Sequence, residues 1–293
     1  MWYRRGTEVT YQVVIHALVG VIALSALFPL VYVIGMSLTS QVELIQRGYF
    51  VIIPHEPKLN AYVRLLDSAA MWRALLVSVM RSSIGPLLGV ALTLVGAYVL
   101  SHRTLPGRNL LLLIVLLTIL FHGGMIPTYL VVRNLGVMNT FWALIVPLLV
   151  DSFGLLIIKI FIENLPEGLV ESARLDGAGH VQLLVWIVTP LAAPALAAIG
   201  MFNIVQHWNS WFDALLYLHN KNLWPLQLVL RNLLEGQAHL GDDLVVEIMK
   251  GEKMALESFK MATVIIGVLP MLALYPFLQR FFIHGVYLGA VKG

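Results

Sequence analysis

The sequence predicts an all-α, polytopic membrane protein with six transmembrane helices and a long extracytoplasmic loop, on three observations. Of 293 residues only 12% are charged and 59% are hydrophobic, against about 25% and about 45–50% in soluble domains. Long stretches carry no charge at all, from Glu8 to Glu43 and from Asp176 to Asp213. The polar residues gather into separate segments, so the apolar area exceeds what one soluble core can hide. The same figures exclude a disordered chain. Zero Cys excludes disulfides, thiolate catalysis and Cys-ligated zinc. A net charge of +3 from scattered Lys and Arg forms no phosphate-binding stripe, so no nucleic acid partner is expected.

A bilayer core of about 30 Å takes about 20 apolar helical residues. That length fits spans at about 13–36, 74–100, 109–131, 140–162, 183–206 and 261–283. The first run follows Arg4 and Arg5 as a signal peptide would, but it continues to Met36 and reads as a retained span. An even count puts both termini on one side, and the basic residues are too evenly shared to say which. Residues 37–73 and 207–260 are then long segments on one face, and 163–182 a shorter segment on the other. Gly85, Gly89 and Gly96 in the second span, and the Ala-rich run to Gly200 in the fifth, allow close helix approach. Gly123, Gly124 and Pro127 predict a break near the far end of the third.

Ions inside spans are costly and face a protein interior or a water-filled cavity. Arg81, Asp151 and Lys159 qualify. Asp151 and Lys159, about 12 Å apart along a helix and roughly 80° around it, are not expected to pair. Passage of a polar substrate and bonding to another helix both remain open for these groups. Lys159 can also snorkel to the membrane edge. Where the fifth span meets the outer loop, Asn203, Gln206, His207, Trp208, Asn209 and Trp211 combine flat rings with amides and an imidazole. Rings cover sugar C–H faces and amides bond hydroxyls, so this cluster is a candidate saccharide path. An interfacial aromatic belt accounts for the tryptophans equally well. His207 alone is no metal site.

The segment Asn164 to Gly179 predicts a short amphipathic helix, capped by Asn164, with Pro166 and Glu167 in its first turn and Gly177 and Gly179 at its end. By itself this is an interfacial loop helix. Its spacing adds more. Glu171, Ser172, Ala173, Gly177, Ile187 and Pro190 match the EAA pattern E-A-A-x3-G-x9-I-x-L-P, with Ser172 for an Ala and Thr189 for the Leu. The chain resembles ABC importer permeases, and residues 96–109, 121–140, Trp208-Asn209 and 289–293 extend the likeness. Within that family it is similar to the second-subunit type of the maltose permeases, in the branch serving complex and acidic oligosaccharides, which includes the second membrane subunit of alginate importers.

The resemblance implies a multi-pass subunit of the bacterial inner membrane, with both termini and the 163–182 coupling loop in the cytoplasm. It implies a homologous second permease, two cytoplasmic ATPase subunits, an extracytoplasmic solute-binding protein at the 207–260 loop and an oligosaccharide cargo. Glu171, Ser172, Ala173, Gly177, Ile187, Pro190 and Lys292 would make the ATPase joint; Asp151 and the 203–211 cluster would line the path. No G-x-x-x-x-G-K-[ST] occurs, so ATP and Mg belong to the partner ATPase, and this chain is no enzyme and holds no cofactor. The competing class is an ion-coupled secondary carrier using Asp151 and Lys159 as relay groups.

Overall fold

The computed structural model describes residues 2–48, 50–235 and 256–290, and no strand occurs among them. The chain divides into two units, residues 1–69 with 232–269 and residues 70–231 with 270–293.

The first unit holds α1 (Trp2–Ser37), α2 (Gln41–Arg47), α3 (Asn60–Asp67) and the first part of α12 (Leu256–Ala290). Residues 37–67 are no slack loop. The carbonyl of Ile52 lies where a Cβ on Gly35 would sit, so only glycine lets the chain pass there. Ser37 Oγ and Tyr62 Oη are bonded at 2.6 Å, and Ser258 Oγ donates to the Thr39 carbonyl at 2.6 Å. Ser40 caps α2 by accepting from the Glu43 N–H. Glu43 then accepts from the His55 N–H at 2.9 Å and pairs with Arg47 at 2.7 Å. The His55 amide, with Arg47 beside it, holds the Glu43 carboxyl below its usual range against the opposing effect of desolvation.

The second unit is built on α4 (Ala69–Ser101), followed by α5 (Arg108–Leu120), α6 (Met125–Asn134), α7 (Ser152–Glu163), α8 (Glu167–Leu175) and α9 (His180–Asn209). Then come α10 (Phe212–Tyr217) and the part of α11 (Leu226–Glu235) up to Arg231. Between lipid-bathed helices there is no water to expel, so close fit decides association. The glycine stripe of α4 supplies that fit. Gly85 faces the His207 ring, Gly89 the Leu149 carbonyl and Gly96 the Leu155 side chain. Beyond them Leu94, Ala97, Leu155, Ile158, Val188 and Ile199 form a buried core.

Among the described residues four helices are long and apolar enough to span a bilayer: Tyr11–Ser37, Ala69–Ser101, His180–Asn209 and Leu256–Leu274. The two middle segments are bent pairs. Arg108–Leu120 and Met125–Asn134 meet at 119°, and Phe141–Leu148 and Ser152–Glu163 at 50°. The first bend falls at the expected glycines: Gly124 has φ +88°, which ends helical continuity, and Pro127 sits in the first turn of α6, where its missing N–H costs nothing. The second bend had no glycine signal. Residues 141–148 wind as tight 3₁₀ turns, and Asp151 restarts the helix by accepting from the Gly154 N–H at 3.0 Å.

The base of α9 is widened to a π turn over Leu183–Val188. Pro190 follows it, and the Thr189 hydroxyl donates to the Leu184 carbonyl at 2.7 Å, serving a backbone acceptor in the widened turn.

Candidate functional site

The segment from Asn164 to Pro190 is locally well defined. Helix α8 ends in a Schellman motif: Gly177 has φ +86°, its N–H reaches the Arg174 carbonyl at 3.0 Å and the Ala178 N–H reaches Ala173 at 2.9 Å. Ala173 and Ala178 are the half-buried pair beneath that cap. Glu171 and Ser172 are exposed, and the Ser172 hydroxyl donates back to Leu169, so the change from Ala leaves the helix intact. Asn164 does not cap this helix. It closes α7, donating its side-chain amide to Ile160, and Pro166 holds the N-cap position. The reason is distance: the chain must leave α7 before it can turn into α8, and the Leu165-Pro166 pair makes that turn. Gly179 starts α9 and does not end α8; its N–H is held by the Gln182 side chain at 2.9 Å. Ile187 lies in the π turn, half-buried, and Pro190 is exposed just above it. Lys292 lies outside the described residues, as do residues 236–255 of the 207–260 segment.

The end of α4 meets this segment. Arg174 Nη2 is 3.2 Å from His102 Nε2, His102 Nδ1 is 2.8 Å from the Tyr98 carbonyl, and the Tyr98 hydroxyl is 3.3 Å from His180 Nδ1. Alongside, Glu163 at the end of α7 binds Arg108 at 2.6 Å and Lys159 at 2.9 Å. Arg108 also donates to the Leu100 carbonyl at 2.8 Å.

At the opposite end of α4 the buried ion finds its partner. Arg81, 0% exposed, pairs with Asp213 through Nη2, and its Nη1 donates to the Ser210 carbonyl at 3.1 Å. Its Nε lies 3.3 Å from His207 Nδ1. Asp213 also accepts from the Ser210 hydroxyl and the Ala214 N–H, both at 2.9 Å. Both charges are therefore well bonded, the condition for a buried pair to persist. Gly85→Ala would set a Cβ 2.6 Å from the His207 ring. The ring must shift off Arg81, so a loss of about 1–3 kcal/mol is expected, read as a lower unfolding midpoint of the purified protein.

The 203–211 cluster does not converge on one site. His207 serves Arg81, Asn203 is buried near Gly89, and Gln206 and Asn209 are exposed. Trp211 lies under the Arg231 guanidinium, 3.4 Å from ring centre to carbon. Trp208, 3% exposed, lines a separate apolar hollow of about 680 Å³ with Val79, Ser82, Pro86, Pro270 and Leu274. Asp213, Arg174, His102 and His180 were not singled out from the sequence. A partner for Arg81 could have been sought among acids just past the end of a neighbouring apolar helix, where Asp213 stands.

No family model matches the chain. A crystal structure of a bacterial ABC transporter involved in the import of the acidic polysaccharide alginate contains a chain that superposes with TM-score 0.86 at 26% identity, over 94% of this chain and 98% of that one. The Bacillus subtilis (strain 168) protein LplC is 40% identical over 270 residues, 91% of this chain and 90% of the relative. The polygalacturonan/rhamnogalacturonan transport system permease protein YtcP of the same organism is 37% identical over 283 residues, 97% of this chain and 98% of the relative. The chain belongs to the carbohydrate ABC permeases.

As an ABC importer permease, it is a transport component and a multi-pass membrane protein. The ion-coupled carrier is set aside by this membership. The permease's own geometry gives the two relay candidates other work: Asp151 caps α7 and Lys159 is paired with Glu163.

Proposed function

We propose that the permease forms half of a translocation pathway for an acidic oligosaccharide, beside a homologous second permease, and that two ATPase subunits drive it through α8. The observation that carries this reading is α8 itself. It is a rigidly capped helix with Glu171 and Ser172 exposed, joined by a two-residue turn at Ala178-Gly179 to the long helix α9. A rigid body docked there turns ATPase closure into displacement of α9, and the π turn at its base is the compliant element that would absorb bending. Glu171 supplies charge to the joint, Ala173 and Gly177 its shape, and Ile187, Pro190 and Lys292 flanking contacts.

Each bent pair counts as one crossing, giving six spans with 163–182 and both termini in the cytoplasm and 207–260 outside, where a solute-binding protein delivers cargo. The sequence carries no phosphate-cradling G-x-x-x-x-G-K-[ST], so ATP and Mg are held by the partner subunits. The hollow beside Trp208 offers a flat ring and the Ser82 hydroxyl, which is buried without a hydrogen-bond partner among the described residues. Ring and hydroxyl suit one sugar unit passing by. The acidic class rests on relatives whose names specify polygalacturonan and alginate, both uronate chains.

The test is reconstitution of the full complex in vesicles with sugar-loaded binding protein. Uptake is expected only with ATP present, and ATPase stimulation should be larger with oligogalacturonate or oligoalginate than with neutral maltooligosaccharides. Uptake persisting without ATP would overturn the driving mechanism, and stimulation by neutral sugars alone would overturn the substrate class.

A further inference from the structure

The sequence motif at 96–109 has no role in the function so far, yet its residues Tyr98 and His102 sit against α8. Three contacts in series make the connection. Arg174 on α8 meets His102 at 3.2 Å, His102 meets the Tyr98 carbonyl at 2.8 Å, and the Tyr98 hydroxyl meets His180 at the start of α9 at 3.3 Å. The rings pack edge-on, Tyr98 to His102 at 4.7 Å and His102 to His180 at 5.7 Å between centres. Tyr98 is 7% exposed, so the inner end of this chain of contacts is anchored in the core.

Mechanics gives this arrangement a consequence. A short helix attached only through its own chain to α9 can pivot about that joint when pushed. A second attachment, to α4, removes the pivot and divides the push between two long helices. The turn that carries His102 is itself fixed, because Arg108 holds the Leu100 carbonyl and Glu163. We infer that Arg174, His102, Tyr98 and His180 form a strut that transmits displacement of α8 to α4, with His102 as its positioning residue. This rests on the proposal that α8 receives the ATPase stroke.

The bonding also assigns a proton. His102 Nδ1 faces a carbonyl and must donate, so Nδ1 carries the hydrogen; Nε2 faces the Arg174 guanidinium, which only donates, so Nε2 must be bare.

The experiment uses the whole complex in vesicles and reads sugar delivered per ATP hydrolysed. His102→Ala is expected to lower that ratio about 2- to 30-fold with substrate-stimulated ATP hydrolysis retained. Arg174→Ala should lower it similarly, and the double variant should be no worse than the lower single, as for two groups sharing one contact. His102→Gln keeps an acceptor toward Arg174 and a donor toward Tyr98, so it should restore most of the ratio. An unchanged ratio in His102→Ala, additive losses in the double, or a ratio in His102→Gln as low as in His102→Ala would each overturn the strut. Glu171→Lys, measured alongside, separates the two proposals. If it uncouples while His102→Ala does not, the strut alone fails; if neither does, the docking of the ATPase on α8 fails.

Discussion

Asp213→Ala is expected to cost about 3–5 kcal/mol, because it leaves the guanidinium of Arg81 buried without its counter-ion. The remaining partners, the Ser210 carbonyl and His207 Nδ1, are neutral acceptors that cannot balance the charge. The reciprocal change should hurt less. In Arg81→Met the Asp213 side chain is 19% exposed and keeps the Ser210 hydroxyl and Ala214 N–H, so water and two donors still serve it. Combining Arg81→Met with Asp213→Leu removes both charges and should recover most of the loss, since an apolar replacement of a buried pair is often neutral or stabilising. The order of unfolding midpoints is therefore parent and double variant together, then Arg81→Met, then Asp213→Ala. Equal midpoints for the two single variants would show that the pair carries no more than its separate hydrogen bonds.

Gly177→Val is expected to abolish uptake while the membrane complex still assembles. The residue has φ +86°, and nothing lies within 4 Å of where a Cβ would sit. The penalty is thus purely conformational, about 1–2 kcal/mol for a non-glycine residue in the left-handed region and more for a β-branched one. That is too little to unfold a bundle held elsewhere, but it falls on the Schellman turn that fixes α8 against α9. The effect should be graded by backbone preference: Asn close to the parent because it visits this region readily, Ala intermediate, Val worst. Transport assays on the intact complex, with copurification as the assembly check, read that order directly. A Val variant transporting as well as the Asn variant would remove the turn from the coupling mechanism.

What the sequence could show follows the range of the interactions. Charge-free runs locate the apolar helices because lipid excludes ions locally, residue by residue. The break at Gly123-Gly124 and the stop at Gly177 are also local, set by backbone preferences within a turn or two. The EAA spacing was legible for the same reason. The bend before Ser152 was not, because Asp151 there looks like an intramembrane ion until the Gly154 N–H is seen to bind it. Asn164 was misassigned because a residue between two adjacent helices can cap either, and only the path of the chain decides. The joining of Arg81 to Asp213, 132 residues on, and of His102 to Arg174, 72 residues on, belongs to packing, which no local pattern records. The same distance effect dispersed the 203–211 cluster: neighbours in sequence on a helix look in different directions.

The separation of Arg81 from Asp213 also bears on how the molecule is made. At about 5–20 residues per second, the 132 residues between them take about 7–26 s to synthesise. For that interval a newly inserted α4 holds a guanidinium whose counter-ion does not yet exist. A chain released from the ribosome before residue 213 keeps that defect permanently, so truncated products should be selectively unstable in the bilayer. A release point just past Ala214 should mark where half-life begins to rise. The pair would act, in effect, as a late checkpoint on biogenesis, licensing only chains that have been translated through α9 and into α10.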